Sequence, residues 1–163
     1  MRSTMSDIKY GFEPVFNEKS RLLILGSFPS VKSRQIDFYY GNRQNRFWKT
    51  VCAFFGEEVP QSVEDKKEFL LRRNIALWDI VTECEIVGSQ DNTIKNFKVA
   101  DIEKLLQKIE VGLIILNGCK ARDIFIKNYG KIDVPYVALP STSPANTRFS
   151  KEKWFDALSR VFG

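Results

Sequence analysis

Leu22-Leu23-Ile24-Leu25 places large aliphatic side chains on both faces of any strand it forms. Such a strand belongs inside a sheet covered above and below, the usual setting of a parallel sheet. Gly26-Ser27-Phe28-Pro29-Ser30 ends the run at once. Three more runs behave alike: Ile75-Ala76-Leu77-Trp78 runs into Asp79, Gly112-Leu113-Ile114-Ile115-Leu116 into Asn117-Gly118, and Val134 to Leu139 into Pro140-Ser141-Thr142-Ser143-Pro144. Four short apolar runs with abrupt polar stops fit an α/β sheet and little else.

The intervening segments carry helical periods. Gln44 to Phe55 repeats apolar residues at Phe47, Trp48, Val51, Cys52, Phe54 and Phe55, with Gly56 as a stop. Ser62 to Arg73 opens on a capping serine with Glu64 and Asp65 in its first turn. Asp101 to Ile109, Lys120 to Tyr129 and Ser150 to Phe162 are the other expected helices, Gly130 capping the second of them. The alternation predicts one domain over the whole chain, a three-layer α/β/α sandwich around a central parallel sheet of about four strands. Glu83 to Phe97 lacks clear periodicity and is expected to be a long loop, with Ser89 and Asp91 as minor site candidates.

Loops that follow parallel strands open on one edge, where α/β proteins bind ligands. The loops after Gly26 and after Leu139 are therefore expected to face one pocket, far apart as they are in sequence. Asp79 and Asn117 end strands on the same edge.

What the chain lacks narrows the chemistry. It contains no histidine, which removes Ser-His-Asp, Cys-His and histidine–metal arrangements together. Its three cysteines, Cys52, Cys84 and Cys119, have no zinc spacing and are expected to be buried free thiols; no metal and no cofactor are expected. The glycine patterns of phosphate and dinucleotide loops are missing. No apolar run is long enough to span a bilayer, and Met1 to Ile8 does not read as a secretory signal, so a cytoplasmic monomer is expected.

Formal charge is +5, and its placement is informative. Between Ser30 and Lys49 lie Lys32, Arg34, Arg43, Arg46 and Lys49 against Asp37 alone, interleaved with Phe38, Tyr39, Tyr40, Phe47 and Trp48. Cations for phosphates beside aromatics for bases make a nucleic-acid signature. A solvated basic loop with core aromatics is the other reading.

The two loops taken together resemble the uracil-DNA glycosylase superfamily. The residues that carry the resemblance are Gly26-Ser27-Phe28-Pro29-Ser30, Tyr39-Tyr40, Asn45-Arg46-Phe47-Trp48 and Pro140-Ser141-Thr142-Ser143-Pro144. They look closest to the hypoxanthine-DNA (deoxyinosine) glycosylase branch, with similarity to the mismatch-specific group. Most branches hold Asp or Asn at the third position of the first motif, where this chain has Phe28; the second position, acidic in another branch, is Ser27. The deoxyinosine branch also lacks that residue and is thought to rely on the Asn of Asn-x-Phe-Trp, here Asn45.

The resemblance implies a DNA glycosylase that extrudes a deaminated base from double- or single-stranded DNA and hydrolyses its glycosidic bond. By the same resemblance Asn45 is the catalytic residue. Ser27, Phe28, Tyr39, Tyr40, Asp79 and Asn117 face the base. Pro29, Ser30, Lys32, Ser141, Thr142 and Ser143 contact the DNA backbone. Pro144, Ala145 and Asn146 occupy the wedge position, with Arg148 beside them. Structural uses compete: Phe28, Tyr39 and Tyr40 as core aromatics, Asn45 as a helix N-cap, Asn117 as a turn residue. The alternatives are a uracil or mismatch glycosylase, an inactive DNA-binding module of the same fold, and a small-molecule hydrolase.

Overall fold

The computed structural model describes residues 6–87 and 94–163. In chain order the elements are β1 (Ser6–Tyr10), β2 (Leu22–Gly26), α1 (Val31–Ile36), α2 (Phe47–Phe54), α3 (Val63–Arg72), β3 (Ile75–Asp79) and β4 (Val81–Val87). They continue with β5 (Ile94–Val99), α4 (Ile102–Leu106), β6 (Leu113–Asn117), α5 (Cys119–Tyr129), β7 (Tyr136–Leu139) and α6 (Lys151–Phe162).

The parallel sheet runs β3-β2-β6-β7. Leu22 sits level with Ile75 and Leu113, so the strands stop together at Gly26, Asp79 and Asn117, with Leu139 level with Asn117. The chain turns one way from β2 to β3 and the other way towards β6 and β7, which makes this edge the topological switch point where α/β ligands bind.

Side chains alternate through the sheet as the double-faced runs require. Leu22 and Ile24 pack with Phe47, Val51, Phe69, Trp154 and Leu158, drawn from α2, α3 and α6. Leu23 and Leu25 pack on the opposite face with Ile102, Leu105, Ala121 and Phe125 of α4 and α5. The three-layer sandwich is therefore present. Side-chain oxygens cap the helices as expected: Ser62 accepts from Asp65 N at 3.0 Å and Ser150 from Lys153 N at 3.3 Å.

Three features depart from expectation. The segment expected as a long loop contains β4 and β5, which pair antiparallel and join β1 in a second, three-stranded sheet. The candidates Ser89 and Asp91 lie outside the described residues; Val81–Val87 has a buried Cys84 between half-buried Glu83 and Glu85, a strand's alternation. Lys98 lies across from Glu83, their charges 3.5 Å apart. Second, Cys119 is exposed at the start of α5, whereas Cys52 and Cys84 are buried thiols. Third, the short α1 was not expected; Ser30 caps it by accepting from Ser33 N at 3.1 Å.

Candidate active site

The floor of the site is a contact between strand ends. Ile80 N donates to Gly26 O at 2.8 Å and Val81 N to Ser27 O at 3.0 Å, binding the exits of β2 and β3 together. A Cβ on residue 26 would lie 2.5 Å from Asp79 Oδ1 and 2.6 Å from the Tyr40 hydroxyl. Only glycine lets both groups close over this point. Gly26→Ala is expected to push them apart, cost roughly 1–3 kcal/mol of stability by overpacking, and close the cavity; urea melts and activity measured on the same preparation check this.

Asp79 is 4% exposed, and among the described residues neither its Oδ2 nor the Tyr40 hydroxyl has a hydrogen-bond partner. Removal from water lifts the Asp79 carboxyl to a pKa of about 7. Burial, and then the field of Asp79, push the Tyr40 phenol well above its ordinary value, opposed by the neighbouring Asn117 amide.

Tyr40 forms one wall. Its backbone is left-handed, φ +54°, an uncommon state for a bulky residue that costs on the order of 1–3 kcal/mol. Its ring stacks on Phe47, centroids 4.3 Å apart and planes 24° apart. Phe47 and Trp48 are buried beneath the site. Tyr39 borders the cavity but is 2% exposed and donates its hydroxyl to Phe12 O and Glu13 O at 3.1 and 2.8 Å, so that hydroxyl is committed to the chain. Phe28 is half-buried on the opposite side, with the Arg34 guanidinium 5.6 Å from its centroid; Arg34 also donates to Pro29 O at 2.8 Å. Pro29 and Ser30 line the cavity, and the Lys32 side chain lies outside the described part of the structure.

The loop after β7 closes the rim, and Asn117 holds it there. Asn117 Nδ2 donates to Thr142 Oγ1 and Thr142 N donates to Asn117 Oδ1, both at 3.0 Å. Thr142 is consequently buried, at 1% exposure. Ser141 Oγ accepts from Ser143 N at 3.1 Å and Ser143 Oγ from Ala145 N at 3.3 Å, which leaves the hydroxyl protons to donate outward. Pro144 and exposed Ala145 continue the lining; Asn146 Nδ2 donates to Ser141 O at 2.9 Å, and exposed Arg148 follows.

Arg46 joins the two motifs. Its backbone N donates to Thr142 O at 3.0 Å, and its guanidinium donates to Ser143 O and Asn146 O at 3.3 and 3.1 Å. Adjacent Asn45 accepts from Phe47 N through Oδ1 at 2.9 Å, a cap-like bond that leaves Nδ2 as the side-chain donor on the cavity lining.

Asn45, Ser27, Tyr40, Asp79, Asn117 and Ser143 thus share one cavity of about 270 Å³, near the small end of ligand pockets. Two grooves adjoin it. One shares Tyr40, Asn42 and Asn45 with the cavity and is lined by Arg43, Lys49 and Lys66; the other shares Ser141 with it and is lined by Arg122, Arg148 and Lys153; among the described residues no carboxylate lines either. Unforeseen in the sequence were Ser33 and Asn42 in the cavity lining, the Arg46 clasp, and the cations of α3, α5 and α6 in the grooves. Asn42 carried one signal: Gly41-Asn42 reads as a turn, and Asn42 Oδ1 accepts from Gln44 N at 2.9 Å.

Comparison with known proteins agrees with this architecture. The model of the uracil DNA glycosylase superfamily matches residues 13–162. A curated protein of Methanosarcina acetivorans named hypoxanthine DNA glycosylase is 37% identical over 150 residues, covering 90% of this chain and 93% of that protein. One of the same name from Methanosarcina barkeri is 31% identical over 158 residues, 93% and 99% of the two chains. A solution structure of a candidate uracil DNA glycosylase from Methanosarcina acetivorans superposes with a TM-score of 0.84 at 33% identity, over 96% of this chain and all of that one. The fold and the comparisons agree, and the chain belongs to the uracil-DNA glycosylase superfamily.

Proposed function

We propose that this chain is a monofunctional DNA glycosylase of base excision repair that flips hypoxanthine out of DNA and hydrolyses its N-glycosidic bond, leaving an abasic site. One observation carries the reading. A polar cavity with an aromatic wall lies between two cationic grooves, and the donor of Asn45 and the hydroxyls of Ser141 and Ser143 line it. A flipped base fits such a pocket while its strand crosses the grooves. The two Methanosarcina relatives carry the corresponding name.

The chemistry requires no histidine. As the C1′–N9 bond breaks, its electron pair goes to the base and the sugar acquires oxocarbenium character. Water adds at C1′; one of its protons ends on the departing base and the other stays in the new hydroxyl. Asn45 Nδ2 orients the water or bonds to the base, Phe28 and Tyr40 hold the ring, and Ser27 meets its edge. Ser30, Ser141 and Ser143 hold phosphates beside the extruded nucleotide, while Thr142 and Asn117 keep that loop in shape. Fixed donors aimed at developing charge supply most of the acceleration in such sites.

End-labelled oligonucleotides with a single deoxyinosine or deoxyuridine, treated with protein and then hot alkali, test the reading. Strand scission at inosine is expected, in duplex and single strand. Scission at uracil alone would establish the pyrimidine alternative, and binding without scission the inactive module. The groove cations make a second expectation: Arg43→Gln and Lys49→Gln should each reduce the slope of log K against log salt by about 0.9 on duplex DNA. Fluorescence anisotropy over a salt series measures it. The described residues contain no helix long and apolar enough to cross a membrane. A cytoplasmic monomer is the proposed form, and sedimentation checks the oligomeric part.

A further inference from the structure

Two polar groups at the cavity floor have no hydrogen-bond partner among the described residues. Asp79 Oδ2 and the Tyr40 hydroxyl are both buried and unpartnered, and both side chains close over the Cα of Gly26. An unpaired buried carboxylate is expensive. The titratable groups facing Asp79 are Tyr39 and Tyr40, both kept protonated by burial. β2 contributes Gly26 and β6 contributes Asn117, neither of them charged. With no cation among the described residues set against it, the carboxyl stays the neutral acid up to its pKa of about 7, and a neutral carboxyl is a donor. Burial keeps the Tyr40 phenol protonated and its hydroxyl has no partner among the described residues, so its proton is left to be given.

We propose that Asp79, as a neutral carboxylic acid, and Tyr40 form a pair of donors that reads the adjacent O6 and N7 acceptors of a 6-oxopurine and so rejects adenine. The inference rests on the proposed glycosylase reading and says how that site selects its base. Deamination changes the edge of adenine from an N7 acceptor beside an N6 donor to two neighbouring acceptors, the pattern that guanine also shows. Two convergent donors satisfy the second pattern. Against adenine the donor set on position 6 meets an N–H instead of O6, and neither of those two groups is bonded. Sites built on such hydrogen bonds reject the mismatched partner by factors of up to about 10⁴–10⁵. Uracil presents one carbonyl to the same point and engages one donor. Guanine shares the 6-oxo edge, so its exclusion falls to groups that meet its 2-amino group.

The test combines single-turnover base release with equilibrium binding of free hypoxanthine and free adenine, followed by tryptophan fluorescence. Wild-type kcat/KM on deoxyinosine DNA should fall about tenfold per pH unit above the Asp79 pKa of about 7, as the donor becomes an acceptor. Asp79→Asn, whose amide donates at every pH, should lower kcat/KM by tenfold or less at neutral pH and lose the alkaline limb. Asp79→Leu and Tyr40→Phe should each cut hypoxanthine release by roughly 10²-fold and shrink the preference for free hypoxanthine over adenine. An unchanged alkaline limb in Asp79→Asn overturns the proposal, and so does an unchanged base preference in Asp79→Leu. Hypoxanthine release with a preference indifferent to both residues defeats this inference and spares the function. Selective, Asp79-dependent binding of hypoxanthine without any release does the reverse.

Discussion

Asn45→Ala should slow hypoxanthine release by about 10²–10³-fold, the usual loss when one preorganised donor is removed. The Kd for deoxyinosine DNA should stay within about threefold, because a contact strengthened in the transition state costs rate rather than affinity. Asn45 also has a structural duty, since its Oδ1 holds Phe47 N at the entrance to α2. Losing that bond costs roughly 1 kcal/mol, a modest drop in Tm that must be separated from the chemical effect. Asn45→Asp separates them. It keeps an oxygen for Phe47 N and removes the Nδ2 donor, so it should fold like wild type and remain slow. If Asn45→Asp is as fast as wild type, the group needed is an acceptor that activates water, not a donor. Wild-type rates in Asn45→Ala would end any role for the residue in the reaction.

The parallel sheet was legible because its signal is local and redundant. Leu22 to Leu25 and Leu113 to Leu116 are apolar on both faces, and only a strand covered on both sides uses such a run. The β4–β5 hairpin was missed for the opposite reason. Glycine, serine, asparagine and aspartate in 88–93 dominated the reading of a segment whose flanks alternate as strands. Glu83 looks unsuited to a strand until Lys98 is seen as its partner across the pair. Pairing between separate segments is not written in either one.

The site divides in the same way. That the two motif loops share a cavity follows from topology alone, since parallel strands exit on one edge. How each residue serves there depends on contacts that spacing does not encode. Arg46 counts in the sequence as one more cation for phosphate, yet its guanidinium holds the carbonyls of Ser143 and Asn146. Asn117 has both ends of its amide engaged by Thr142, which makes it the anchor of the second motif. The phenol of Tyr39 is bonded to Phe12 and Glu13, while that of Tyr40, the next residue, has no partner among the described residues. A left-handed φ at Tyr40 separates the two fates.

Asp79→Asn should make the protein more stable at neutral pH, even though the residue sits at the centre of the site. The folded carboxyl has a pKa of about 7 against an ordinary 3.8. Below pH ~4 the carboxyl is neutral folded or unfolded and contributes no pH-dependent term. As pH rises from there to about 7 the unfolded chain ionises and the folded one does not, so the unfolded state binds fewer protons and stability falls. Above about 7 both states are ionised and the penalty is complete, on the order of 4 kcal/mol at most. Asparagine has nearly the same shape and never ionises, so it escapes this loss. Urea melts of wild type and Asp79→Asn should coincide near pH 4, diverge as pH rises and keep a constant gap above pH ~7.5, with Asp79→Asn the more stable. A gap that is the same at pH 4 and pH 8 would mean that the carboxyl is not held neutral. The sign of the effect bears on why an acid stands there. A buried aspartate without a cation weakens the fold through the neutral range, and proteins retain such residues where function requires the chemistry they supply. An amide would be the safer choice for folding, but it cannot change from donor to acceptor with pH, and that loss should be visible in the rate profile of the same variant.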